Sequence, residues 1–276
     1  MNSRFLLRAA GTLVLTAGLV LAQKPAKQPK PKSQKEVDAI NAIFNATEPD
    51  ARIAAAENLL TKFADTEFKA VALQIAAASA QQKNDFEKMV IYSERTIEAD
   101  PQNYPAMLML ANGIAQKTRE FDLDKEEKLQ RAEKYARQSI ELINGASKPR
   151  PDITDEQWES AKKDYLAQAH EALGLAAMVR KKYDVAATEF KTSTDVAPAP
   201  DQATMVRLAA AYNLSGKPDA AIPVLDKVMA MPDLNPQIKQ VAQNEKVNAM
   251  KLKSGGVKPA ASGSAPPPPQ VEVKKP

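Results

Sequence analysis

A chain of 276 residues with 44% hydrophobic content can bury a core in one or two domains, and its 5% aromatic content suits close-packed, alanine-rich helices better than a β-sandwich. The absence of cysteine excludes disulfides and thiolate metal sites. The formal charge of +4 belongs to the ends: residues 36–250 hold 26 basic and 33 acidic residues, and this acidic body, without interleaved aromatic and basic residues, excludes nucleic acid as a partner.

Arg4 and Arg8 precede an apolar run of 14 residues, Ala9 to Ala22. That length matches the apolar core of a signal peptide and falls short of the ~20 residues needed to span a bilayer. Val20 and Ala22 are small enough for the −3 and −1 positions of a cleavage site. The sequence therefore predicts an exported protein, periplasmic or secreted, cleaved after Ala22; an uncleaved anchor is the alternative. No cysteine follows to carry a lipid.

Residues 23–35 alternate lysine and proline and cannot bury apolar surface, so they are expected to be extended and disordered. They read either as a spacer or as a polycation touching an anionic membrane or cell wall. Helical spacing begins at Glu36, with Val37, Ile40, Ile43 and Phe44. Thr47-Glu48-Pro49-Asp50 predicts a new start, with Thr47 as cap, and Ile53, Ala56, Leu59, Leu60 and Phe63 form the stripe of the second helix.

A second hairpin is predicted from Ala70 to Gln82 and from Phe86 to Ala99, turning at Asn84-Asp85 and ending at Asp100-Pro101, an acid and proline expected to cap and start the next helix. A third begins at Tyr104. In the second hairpin 12 residues separate the small-residue slots Ala77 and Met89; in the third, 21 separate Ala111 and Ala132. About nine extra residues therefore lie near 116–128, a charged stretch expected to extend one or both helices. Breakers at 144–151 precede a capping box at Thr154 and Gln157 and a long helix to about Lys181. Trp158 is expected to be a packing anchor.

Leu173-Gly174, then Ala186, Phe190 and Pro198, describe a helix pair. Leu208-Ala209 and Ala221-x-x-x-Leu225 repeat the spacing, with 35 residues from Gly174 to Ala209. Asn235-Pro236 opens a last helix to about Leu252, a terminal cap with one polar side. Residues 253–276 form a proline-rich tail, read as disordered.

Over 36–252 these residues resemble the tetratricopeptide repeat (TPR) family, whose period is about 34. The resemblance implies an all-α fold: a right-handed α-solenoid of about five helix hairpins plus a C-terminal capping helix. The opening run from Ala51 to Phe68 also resembles helical repeats of bacterial envelope proteins. His170 stands where the family prefers tryptophan, and Ala177 where it prefers tyrosine.

His170 is the only histidine, so a two-histidine metal motif is impossible, and no phosphate-binding glycine loop occurs. His170 reads as a packed, satisfied side chain. Asp122, Asp124, Glu126 and Glu127 form a charge run, ordinarily a solvated face and otherwise a cation site. The expectation is a non-enzymatic protein without cofactor or metal. By analogy with the family's first-helix positions, a peptide groove would be lined by Gln74, Ala78, Gln81, Leu108, Asn112, Gln116, Glu171, Leu175, Met178, Val206, Ala210 and Asn213. These positions lack the basic set that clamps a terminal carboxylate. They imply an extended or helical peptide held by apolar contacts and amide hydrogen bonds. The predicted function is an exported scaffold binding protein partners in the cell envelope. The alternatives are a passive protein held by its lysine-rich tails to an anionic wall or membrane, and an unrecognised hydrolase.

Overall fold

The computed structural model describes residues 29–255. The expected signal segment at 1–22, the start of the lysine-proline segment and the tail beyond Gly255 lie outside them. Among the described residues there are eleven α-helices and no strand. In chain order they are α1 (Gln34–Asn45), α2 (Pro49–Lys62), α3 (Lys69–Gln82), α4 (Phe86–Ala99), α5 (Tyr104–Lys117), α6 (Lys125–Asn144), α7 (Asp155–Val179), α8 (Tyr183–Val196), α9 (Gln202–Leu214), α10 (Pro218–Met229) and α11 (Pro236–Lys253). These are the five hairpins and terminal helix read from the sequence.

Local chemistry explains most of the boundaries. Three of the hairpin turns use one motif. Asn84, Lys181 and Gly216 take left-handed conformations with φ of 57°, 60° and 80°. The next N–H then reaches back to close the helix: Asp85 to the Ala80 carbonyl at 2.9 Å, Lys182 to Ala177 at 2.9 Å, and Lys217 to Tyr212 at 2.8 Å. This closure reverses the chain within a three-residue connection. The capping box forms as read, with Gln157 N–H donating to Thr154 Oγ1 at 3.2 Å and Thr154 N–H donating to Gln157 Oε1 at 3.0 Å. Asn235 Oδ1 caps α11.

Two cap expectations fail. Thr47 does not cap α2; Glu48 takes that position without a side-chain bond. Arg52 holds the entering chain from the other side of the peptide groups, donating to the Ala46 and Thr47 carbonyls. Asp100-Pro101 does not open α5. Asp100 accepts from the Gln102 N–H at 3.1 Å, and Asn103 caps α5 through the Ala106 N–H at 3.0 Å. Helix α1 begins two residues before the expected Glu36, capped by Ser33. The residues just ahead of it are engaged: Lys32 pairs with Asp65 at 2.5 Å, and the Lys30 N–H donates to Glu67 at 2.9 Å.

The nine-residue insertion is visible in one repeated contact. In the fourth hairpin Ser193 Oγ donates to the Ala167 carbonyl at 2.8 Å, across a separation of 26 residues. In the third, Ser139 Oγ reaches the Tyr104 carbonyl at 3.5 Å, across 35. The extra residues lengthen the connection, now residues 118–124, and add about a turn to the start of α6, which has 20 residues against 14 in α4 and α8.

The chain forms two compact units. Among the described residues, one comprises 29–113 together with Gln138–Glu159; the other comprises Ile114–Arg137 together with 160–255. In the first, Ile43, Ala56, Leu59, Leu73, Ala77, Ala80 and Met89 build the core. In the second, Met205, Ala209, Ala221, Leu225, Val228, Ala242 and Ala249 pack α9, α10 and α11 together. Alanine at so many contact positions lets helix axes approach closely, as the composition implies.

Candidate partner-binding surface

First-helix positions divide into packed and accessible ones. In the first unit Gln74 is buried, and its Oε1 accepts from Asn103 Nδ2 at 3.0 Å. The same Asn103 caps α5, so Gln74 serves the connection between hairpins. Leu108 and Asn112 are also buried; Asn112 Nδ2 donates to the Leu108 carbonyl at 3.1 Å. Ala78 is half-buried and Gln81 exposed.

In the second unit Leu175, Val206 and Asn213 are buried. Asn213 Nδ2 donates to the carbonyl of Glu245 at 3.0 Å and to its carboxylate at 2.8 Å, tying α9 to α11. Gln116, Met178 and Ala210 are half-buried. Glu171 accepts from Arg207 Nη1 at 2.7 Å, which joins the first helices α7 and α9. Burial pushes the Glu171 carboxyl above the ordinary glutamate range, and Arg207 offsets part of that rise. Of the twelve positions, six are therefore taken up by packing and Glu171 by its ion pair; Ala78 and Gln81 in the first unit, and Gln116, Met178 and Ala210 in the second, keep accessible surface.

Sequence reasoning passed over Arg207, Asn103 and Glu245. Arg207 lies 36 residues from Glu171, one repeat away, and that spacing of opposite charges was the available signal. Asn103 could have been found as an amide directly before a helix start. Glu245 carried no signal, because its role depends on how α11 lies on α9.

His170 is half-buried, and its Nδ1 stands 2.7 Å from Glu189 Oε2 on α8. The pair joins the two helices of one hairpin. Trp158 is buried. The insertion folds onto the end of α7: Arg180 pairs with Glu126 at 2.8 Å and Glu133 at 2.6 Å, and Lys181 pairs with Glu120 at 2.5 Å. Lys128 pairs with Asp122 at 3.1 Å and Asp124 at 2.8 Å. The Arg180 guanidinium holds the Glu126 carboxyl below its usual range, and the Arg119 N–H and Lys128 do so for Asp122. Among the described residues no group of three or more histidine, cysteine or acidic side chains is arranged to hold a metal ion.

The chain is similar to TTC0263, a thermophilic TPR protein of Thermus thermophilus, with a TM-score of 0.51 and 13% identity over 77% of this chain and 99% of that one. The fold is a tetratricopeptide-repeat fold. Further similarities are to a TPR protein from Parabacteroides merdae and to Acl4, an assembly chaperone of RpL4. The first has a TM-score of 0.40 and 15% identity over 82% of this chain and 94% of that one. The second has a TM-score of 0.44 and 11% identity over 80% and 98%. No family model and no curated protein matches the sequence. Within the TPR fold, Gly174 and Phe190 occupy the close-packing positions of one hairpin, and a Cβ on Gly174 would stand 2.6 Å from two carbons of that ring.

Proposed function

We propose that the chain is an exported, non-enzymatic adaptor of the cell envelope that holds a segment of a partner protein against the first helices of its hairpins. One observation carries the reading: in each unit the accessible first-helix positions are small, flexible or amide side chains, Ala78 and Gln81 in the first and Gln116, Met178 and Ala210 in the second. Such a surface offers apolar contact and amide hydrogen bonds, the two things an extended or helical peptide needs. Export rests on the apolar run before Ala22 and its arginine flank.

A crosslinking pull-down from the native cell tests the adaptor against passive attachment. An adaptor keeps its partner when segments 23–28 and 256–276, which lie outside the described residues, are deleted and when salt is raised. A protein held only by those segments is released in both cases, because exposed charge attraction is screened. Release in both cases would overturn the proposal. N-terminal sequencing of the mature protein tests export, with Gln23 as the expected first residue.

A further inference from the structure

Two large apolar side chains stand in water within one turn. Phe121 is 82% exposed and Leu123 106% exposed, both in the connection between α5 and α6. Their neighbours are engaged in ion pairs and hydrogen bonds. Glu120 pairs with Lys181 at 2.5 Å. Asp122 accepts from the Arg119 N–H and from Lys128, each at 3.1 Å, and Asp124 pairs with Lys128 at 2.8 Å. The backbone closes on itself, Asp122 N–H to the Arg119 carbonyl and Lys125 N–H to the Asp122 carbonyl, both at 3.2 Å. An ordinary surface loop turns its apolar groups inward; here Glu120 and Asp122 are drawn into ion pairs while Phe121 and Leu123 face water. Its ion pairs and turn bonds fix the shape, so the exposure is built in.

Charge indicates what covers the pair. Each acid from 120 to 126 has a cationic partner: Lys181 for Glu120, Lys128 shared by Asp122 and Asp124, and Arg180 shared by Glu126 and Glu133, while Glu127 is exposed. Arg119 in the loop and Lys182 beside the Lys181 pair are exposed. Ten more lysines lie in residues 23–35 and 251–276. A surface that is apolar just below a layer of negative charge is complementary to this arrangement, and a bilayer containing anionic lipid is such a surface.

We propose that the 118–124 turn inserts Phe121 and Leu123 into the interfacial layer of an anionic bilayer, with Arg119 and Lys182 at the headgroups. Two apolar side chains alone attach weakly and reversibly; the basic segments supply the second contribution that stable attachment requires.

The test uses the full chain with Phe121→Trp and vesicles of phosphatidylcholine and phosphatidylglycerol. The unsubstituted chain, whose only tryptophan is the buried Trp158, serves as reference. The expected result is a blue-shifted emission from the introduced indole, quenched by brominated lipid on anionic vesicles and absent on pure phosphatidylcholine. Adding Leu123→Asp should lower the inserted fraction of that indole about tenfold or more. Both side chains are exposed, so far-UV circular dichroism should not change. Co-sedimentation with vesicles while the introduced indole keeps its water-exposed emission would overturn the proposal, since the ends alone would then bind. A blue shift without vesicles that grows with protein concentration would also overturn it, in favour of a second copy of the chain.

Discussion

The backbone of Gly174 in α7 lies against the ring of Phe190 in α8 so closely that a Cβ would stand 2.6 Å from two ring carbons and 3.0 Å from a third. Phe190 is fully buried, so its ring has little room to withdraw. The Leu173-Gly174 and Phe190 spacing in the sequence is the covalent record of this contact. It sets how near the two helices of the fourth hairpin approach.

Replacing Gly174 tests that contact. Gly174→Ala should lower stability by about 1–2 kcal/mol, because overpacking outweighs the helix propensity gained, and Gly174→Leu should lower it further. Gly113 is the internal control. A Cβ there would meet the flexible Cε of Met89 at 2.4 Å, a group that can swing aside. Gly113→Ala should therefore be near neutral or slightly stabilising. Thermal melts of the three variants decide between these outcomes.

Lys181 holds a left-handed φ of 60° where the next hairpin has Gly216. A non-glycine residue there costs roughly 1 kcal/mol, more than its exposed pairing with Glu120 returns. Lys181→Gly should raise the urea midpoint, by about 0.5–1 kcal/mol in stability. Gly216→Lys should lower it by a similar amount. Equal midpoints for wild type and Lys181→Gly would show that the Glu120 pair matters more than its exposure suggests.

The Glu171–Arg207 pair should carry a pH signature. Burial raises the folded-state pKa of Glu171, so the folded chain holds that proton more tightly than the unfolded chain. Its contribution then declines as pH rises from the ordinary carboxylate range through the raised folded value. Arg207→Leu removes the offset and widens that window. At neutral pH it should cost about 3 kcal/mol, the low end for a broken buried pair, because both side chains keep some contact with water. Urea melts of wild type, Arg207→Leu and Glu171→Gln from about pH 4 to about pH 8 would reveal it; the Gln variant should lose this slope.

Glu36 should show the opposite sign. Its carboxylate accepts from the Thr66 hydroxyl at 2.6 Å and from the Lys32 N–H at 2.5 Å, and these bonds lower its folded pKa. The stabilisation is present above the ordinary carboxylate range and is lost as pH falls through the depressed folded value. Thr66→Val should move the acid-unfolding midpoint of the first hairpin upward. An unchanged midpoint would mean that the Thr66 bond does not hold the folded pKa of Glu36 down.

The hairpins were legible because each is written in local chemistry: periodic apolar stripes, the turn at Asn84-Asp85, the Thr154 box and the Asn235 cap. Even the insertion could be counted, since the Ala111-to-Ala132 spacing exceeds its counterpart by the difference later seen at Ser139 and Ser193. The surface was less legible. Periodicity places Gln74, Leu108 and Val206 on first helices but says nothing of whether a neighbouring segment covers them. Arg207 reaching Glu171 and Glu245 reaching Asn213 depend on inter-helix geometry that no single window of sequence contains. Thr47 is not the cap because the helix starts one residue later, with Glu48 at the cap position, and Arg52, five residues on, holds the Ala46 and Thr47 carbonyls.

Where a partner touches the chain decides the adaptor reading. A photo-crosslinking residue placed at Met178 or Ala210, both on first helices, should yield a protein adduct in the native cell. The same residue at the exposed Val185 of a second helix should yield none. Adducts at Val185 with none at Met178 or Ala210 would contradict the proposed binding surface.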